Sequence, residues 1–317
     1  MNFPALLSIN LTLFLLILCG WLCRRWDIID TATSKKLSKL ILSIGQPMLI
    51  IASLNNAEYS PENLRLAGQV TLLGFGLHIF VAGFAYFLCK LIKRNFNKAK
   101  IFEFSLVFGN CGFIGFPILD SLLGKGFGSF LGAFYVISFH LFFWTWGILI
   151  FARGRDDIKL TPKKIFLNFG TVPCAIGVLL YFLKPIFVAP DFIGNFMNYM
   201  GNLCTPISVL VTGALLATIS LRRMFTDWKL YLHSLLKLIL FPLAVCVLAT
   251  VIGLPELLIL LATAMAAVPC GASVSMLAEL YDIEPAYASQ TVGMTSILST
   301  VTLPVIMLAA EWIVSLI

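Results

Sequence analysis

Two short stretches carry most of the chemistry this sequence can offer. The first runs Phe108-Gly109-Asn110-Cys111-Gly112-Phe113-Ile114-Gly115-Phe116-Pro117, and the second runs Ala267-Val268-Pro269-Cys270-Gly271-Ala272-Ser273-Val274-Ser275. Both interrupt long apolar segments. Proline lacks a backbone donor and glycine tolerates conformations closed to other residues, so neither stretch suits an unbroken helix. A helix that breaks and resumes starts its second half with partnerless N–H groups and the positive end of a dipole. Here those second halves are expected to begin near Gly112 and Gly271, each preceded by a cysteine, Cys111 and Cys270. Asn110 adds amide donors, and Ser273 and Ser275 add hydroxyls, so the pair could grip a carboxylate. The plainer alternative is two kinked helices whose glycines let neighbours pack closely.

Four ionisable residues also fall within apolar segments, where charge is costly and function is the first hypothesis. Lys237, in Leu-Leu-Lys-Leu-Ile-Leu-Phe-Pro, could pair with a substrate carboxylate or an internal acid; the alternative is a cation snorkelling to an interface. His78 suits proton coupling by its ordinary titration range, or is simply hydrogen-bonded within a helix bundle. Asp120 and Glu279 follow the two interrupted stretches at similar distances. They could carry coupling protons or sit at the solvent-facing ends of their segments. His140, Glu103 and Glu311 are weaker candidates of the same kind, and the Phe-rich run 139–146 reads as packing or lipid-facing surface.

These residues need elements to position them, and the composition says which. The chain has 317 residues, 60% hydrophobic and 12% charged, with mean hydropathy +0.97. A soluble domain of this size needs far more charge to cover its surface. The apolar blocks are long enough to cross a bilayer, which takes roughly 20 helical residues. Ten spans are expected: Ala5–Cys23, Lys36–Leu54, Leu66–Leu91, Ile101–Leu123, Ser129–Phe151, Phe166–Val188, Phe196–Ile219, Leu230–Gly253, Leu257–Tyr281 and Ala288–Val314. The fourth, sixth and ninth are interrupted by Gly, Pro or Asn. Broken backbone at membrane depth persists only inside protein or beside a wet cavity, so spans four and nine are expected to unwind near the midplane and cross.

The formal charge of +7 invites a nucleic-acid reading, but its placement argues against one. Counted with the end turns of the adjoining spans, the loops after spans one, three, five and seven hold eighteen Lys and Arg, whereas the opposite loops hold three: Arg65, Lys125 and Lys184. By the positive-inside rule the richer side is cytoplasmic and both termini lie outside. The N-terminal segment lacks a basic leader and a small-residue cleavage site, which reads as a retained span rather than a signal peptide. The eight cysteines have no metal-ligand spacing and read as free thiols.

A weak internal repeat runs at an offset of 159 residues. It lays Pro47 on Pro206, Cys111-Gly112 on Cys270-Gly271, Asp120 on Glu279 and His78 on Lys237. Apolar sequences align easily, so chance is the alternative. Five spans per copy is an odd number, which makes the second copy enter the bilayer from the opposite side, as in many secondary transporters. The expected fold is therefore all-α and integral to the membrane. It has ten transmembrane helices in two inverted five-helix repeats, 1–152 and 166–317, joined by a short connection 153–165.

At these residues the sequence resembles the auxin efflux carrier family, which includes plant auxin exporters and bacterial malate and malonate permeases. The likeness is carried by Asn110–Pro117 with Gly124, by Lys237–Pro242, by Pro269-Cys270-Gly271 with Glu279-Leu280-Tyr281, and by Ser299–Pro304. The stretch from Thr205 to Ala217 is similar to the family's seventh span. The resemblance implies crossed helices four and nine, a substrate region marked by Asn110, Pro117 and Pro269, and a mobile part rocking against a scaffold that can dimerise. It also implies an organic-anion substrate and a cell membrane location; the expected drive is a proton or sodium gradient or the membrane potential. The short connection is similar to compact prokaryotic permeases, hence a bacterial inner membrane. Cys270 stands where plant members carry a polar amide, which weakens auxin itself as substrate.

Other classes find less support. No stretch is long and polar enough for a built-in ATPase. HExxH and GxSxG motifs are missing, and Gly124-Lys125-Gly126 lacks the ending of a phosphate loop. Nothing in the sequence calls for a cofactor or metal. A passive channel stays open as an alternative to a carrier, and so does an aromatic carboxylate as substrate.

Overall fold

The computed structural model describes residues 3–91, 96–158, 161–187, 189–218 and 221–316. The regular structure is helical, as it must be where no water can satisfy backbone groups. In chain order the main helices are α1 (Phe3–Arg25), α2 (Thr31–Asn56), α3 (Pro61–Leu91), α4 (Phe96–Val107), α5 (Cys111–Leu123) and α6 (Phe127–Ala152). Then come α7 (Thr171–Leu183), α8 (Asp191–Leu216), α9 (Trp228–Val251), α10 (Glu256–Ala267), α11 (Ser273–Leu280) and α12 (Pro285–Ser315). Seven of them, α1, α2, α3, α6, α8, α9 and α12, are long and apolar enough to cross a bilayer, and α5, α7 and α10 are shorter apolar helices.

The segments that depart from expectation are those interrupted by Gly, Pro and Asn. The expected span 101–123 is divided into α4 and α5, and 257–281 into α10 and α11. The expected span 166–188 shrinks to α7. Asn168 accepts hydrogen bonds from the Gly170 and Thr171 amides at 2.9 and 2.8 Å, setting the start of α7. At the other end Pro185 has no N–H to continue the helical ladder, and the Lys184 amide closes the last turn on the Tyr181 oxygen at 3.3 Å.

Three prolines inside apolar helices are accommodated in one way. Pro47, Pro117 and Pro242 each stand second after a widened π turn: Ile41–Gly45, Cys111–Gly115 and Leu236–Leu240. A proline ring collides with the carbonyl four residues earlier and offers it no donor, and a wider turn relieves both problems.

Small residues set the closest approaches between helices, as expected where lipid gives little drive for association. A Cβ added to Gly20 of α1 would lie 1.9 Å from the Leu210 oxygen of α8, and one added to Gly213 would lie 1.9 Å from the Ile17 oxygen of α1. The second half of α2 packs on α7, where Gly177 faces Ile51 and Leu54. Behind the first break, the rings of Phe104, Phe108, Phe139 and Phe143 stack and tilt with centroids 4.6 to 5.7 Å apart. The Phe-rich run is thus packing at the break rather than lipid surface alone.

Candidate functional site

The α4–α5 and α10–α11 interruptions face each other. Gly109 and Cys270 form an isolated antiparallel bridge. The Asn110 amide donates to the Pro269 oxygen at 2.7 Å, and the Gly271 amide donates to the Phe108 oxygen at 3.3 Å. Asn110 and Pro269 are separated by the same 159 residues as the internal repeat. Proline has no N–H, so the return bond of this pair cannot form. A side chain at 109 would not fit: its Cβ would lie 2.7 Å from a Val268 methyl.

Breaking α4 strands the carbonyls of its last turn, and each acceptor named here has a new donor. The Cys270 thiol donates to the Ser105 oxygen at 3.3 Å, and the Gly271 amide serves Phe108. The Lys237 ammonium donates to the Leu106 oxygen at 3.1 Å. Lys237 is 4% exposed, so it is not a snorkelling cation. It is a positive charge at the negative end of a truncated helix, the placement that a helix dipole favours.

The helix starts differ from expectation in one respect. The second halves begin at Cys111 and Ser273, and the Gly271 amide is consumed by the other break because the two non-helical stretches pair. Asn110 caps α5, accepting from the Phe113 amide at 3.2 Å. Its carboxamide oxygen is thereby used, leaving the NH2 end for the cavity it lines. The amides of Cys111 and Gly112, and of Ala272 and Ser273, have no backbone acceptor among the described residues.

Those four residues border a cavity of about 190 Å³, room for a small molecule rather than one water. Asn110, Gly109 and Gly271 line it too. Pro117 and Pro269 do not; they act one layer back, through the widened turn and the bridge. The rest of the wall is mostly apolar and rich in aromatic rings, with Phe113, Phe139, Phe143 and Trp144 among them.

Two polar wall residues outside the interrupted stretches are Gln46, which the sequence did not single out, and His140, which it ranked only as a weaker candidate. Gln46 Nε2 lies 3.3 Å from His140 Nε2, and a Cβ on Gly112 would lie 3.7 Å from the same Gln46 nitrogen. An amide side chain just before a proline in an apolar segment was the available signal for Gln46. Nothing local separates His140 from its Phe-rich neighbours.

The remaining expected residues scatter. His78 is buried on α3; its Nδ1 lies 2.7 Å from the Gly74 oxygen, and Phe142 stacks on its ring at 5.4 Å. It shares a second, smaller cavity with Lys237, Cys111 and Tyr135, behind the first break. The two ionisable positions that the 159-residue offset matches thus line one cavity. Asp120 accepts from the Gly126 and Ser129 amides at 3.0 and 2.7 Å and from the Ser129 hydroxyl at 2.7 Å, pinning the start of α6. Glu279 belongs to α11, but its side chain lies outside the described residues. Glu103 and Arg153 form a bidentate ion pair tying α4 to the end of α6, with the guanidinium 5.0 Å from the Tyr86 ring.

Known sequences agree with a transport role. The family described as membrane transport protein, auxin efflux carrier-like, matches residues 8–165 and 162–307. An uncharacterized transporter of Methanothermobacter thermautotrophicus is 23% identical over 299 residues, covering 93% of this chain and 95% of its own. An uncharacterized transporter of Methanocaldococcus jannaschii is 22% identical over 303 residues, covering 92% of this chain and 95% of its own. With its apolar helices and a match over nearly its whole length, the chain belongs to this family of membrane transport proteins.

Proposed function

We propose that the chain is a secondary transporter that moves small organic anions by alternating access, binding them where the fourth and ninth spans cross. The observation that carries this reading is the cavity edged by four amides from two broken helices that are bonded to each other. Amide donors and dipole ends suit a carboxylate. The ten-span reading counts α4 with α5 and α10 with α11. Two inverted repeats are supported by the 159-residue pairing of Asn110 with Pro269. They are supported also by packing: spans one and seven touch, and so do two and six, the exchange that an inverted repeat requires. Lys98 and Lys100 in the first turns of α4, and Arg153 and Arg155 just after α6, belong to the Lys/Arg-rich side, which we assign to the cytoplasmic face of a cell membrane, with both termini outside. A homodimer through the scaffold and a proton as coupling ion complete the proposal.

Malate, malonate or a related carboxylate is the substrate class that the family likeness suggests. The aromatic wall favours a second reading, a carboxylate with an apolar body such as phenylacetate. Purified protein in proteoliposomes preloaded with each anion tests both. A carrier accelerates uptake of labelled anion when the same anion is inside, and competition by unlabelled malate, malonate and phenylacetate ranks the class. Flux without such counterflow, faster than carrier turnover, would mean a channel.

A further inference from the structure

The cavity contains a discrepancy between its proposed ligand and its charges. Among its lining residues there is no lysine, arginine, aspartate or glutamate; the ionisable ones are His140 and Cys111. An anion placed there meets amide dipoles but no fixed cation, and an unpaired charge in apolar surroundings is costly. Lys237 is not in the wall: its Nζ stands behind Gly109, 3.2 Å from where a Cβ there would lie, and is committed to the Leu106 carbonyl beside the other cavity.

Resting on the carrier reading above, we propose that His140 supplies the missing charge: it takes up one proton when the anion binds and travels with it as the imidazolium partner. His140 is 5% exposed and on the cavity wall, unlike His78, which lines only the smaller cavity. Its Nε2 is 3.3 Å from Gln46 Nε2. Neutral imidazole can accept from the Gln46 amide there. Protonated imidazole must donate instead, either to the Gln46 oxygen after an amide flip or to the bound anion. Gln46 is thus a positioning residue that serves both protonation states. Its neighbour Gly112 puts a free amide beside it, so amide, carboxamide and imidazolium converge on one end of the cavity.

The ring has few electrostatic competitors. The titratable group that acts on it is His78 from α3; Cys111 of α5 lines the same cavity, and Lys237 of α9 stands behind the Gly109 wall in the smaller one. α2 presents the uncharged Gln46. The chain entering α7 presents the Gly170 backbone, where an added Cβ would lie 2.1 Å from the ring's Nδ1. No carboxylate among the cavity-lining residues stands ready to neutralise an imidazolium, so the bound anion does so. The proton then enters with the anion; a monoanion such as phenylacetate crosses with no net charge at the site, and a dicarboxylate such as malate keeps one negative charge. By linkage, an anion that draws a proton onto the ring binds more weakly as protons become scarce.

Binding is measured in detergent from pH 6 to 8 with phenylacetate, malate and phenylmethanesulfonate, the last ionised throughout. The expected dissociation constant for phenylacetate and for the sulfonate rises about tenfold per pH unit above the ring's titration point. Calorimetry in buffers of different ionisation heat should show about one proton taken up per anion. In His140→Gln, checked for folding by thermal denaturation, both the slope and the uptake disappear. A slope for phenylacetate but not for the sulfonate, or a slope that survives in His140→Gln, puts the proton elsewhere and overturns the proposal. Binding by the native protein without proton uptake also overturns it, while leaving the carrier reading intact. If none of the three anions binds at any pH, the proposed function itself falls and this inference with it. Should His140→Gln fail to fold, proton uptake on binding the sulfonate that persists in His78→Gln supports His140, and its loss there overturns the proposal.

Discussion

Replacing Asn110 with alanine separates a structural role from a binding role, because the side chain does two jobs whose magnitudes differ. Its oxygen caps α5 through the Phe113 amide at 3.2 Å. Losing an asparagine cap costs about 1 kcal/mol. The inter-break bond to the Pro269 oxygen is made by the backbone amide, so alanine keeps it. The protein should therefore stay folded, with its melting point lowered by about 2–4 °C. The NH2 end faces the cavity, where a hydrogen bond to a carboxylate contributes about 1.5–3 kcal/mol. Its loss should weaken anion binding roughly 10- to 150-fold. Tryptophan fluorescence on heating reads the first effect, and equilibrium binding of labelled phenylacetate or malate reads the second. A variant with the lowered melting point and unchanged affinity would make Asn110 a helix cap only, and the two-break binding site would have to be abandoned.

Asp120→Ala should lower thermal stability by about 1–2 kcal/mol, the loss of a helix-start cap, and leave the pH dependence of uptake unaltered. A flattened pH profile would restore Asp120 as a coupling residue. Lys237→Met keeps the volume but strands the Leu106 carbonyl, at a cost of about 1–3 kcal/mol; a rise in melting temperature instead would show that the buried ammonium is a net burden rather than a cap. Gly213→Ala must push α1 outward, because the new Cβ would meet the Ile17 oxygen at 1.9 Å. Destabilisation of about 1–3 kcal/mol is expected, and an unchanged melting curve would refute the close α1–α8 contact.

Much of this was legible locally. Glycine, proline and asparagine in apolar segments marked the places where α4, α7 and α10 stop, because proline lacks a backbone donor and glycine and asparagine readily leave the helical conformation. Helix lengths were less legible: a hydrophobic run of 23 residues at 166–188 holds a 13-residue helix. Its ends are set by the Asn168 cap and by Pro185, which a hydropathy average does not see. The candidate site was half legible. Asn110 and Ser273 were visible from their neighbours, whereas Gln46 and His140 come from other helices and carry no motif. Asp120 illustrates the converse, since an acid at the end of an apolar segment looks the same in sequence whether it moves a proton or pins a turn.

Sequence alone determined the apolar helices, the two interruptions and the offset that relates them, because each depends on residue type within a few turns of chain. Tertiary structure decided which groups complete the interruptions. Whether Lys237 meets a substrate or the Leu106 carbonyl, and whether His140 faces a cavity, depends on helices brought together from 131 and 94 residues away. No local rule fixes that choice. Stranded carbonyls and buried charge must find partners somewhere, but only packing says where.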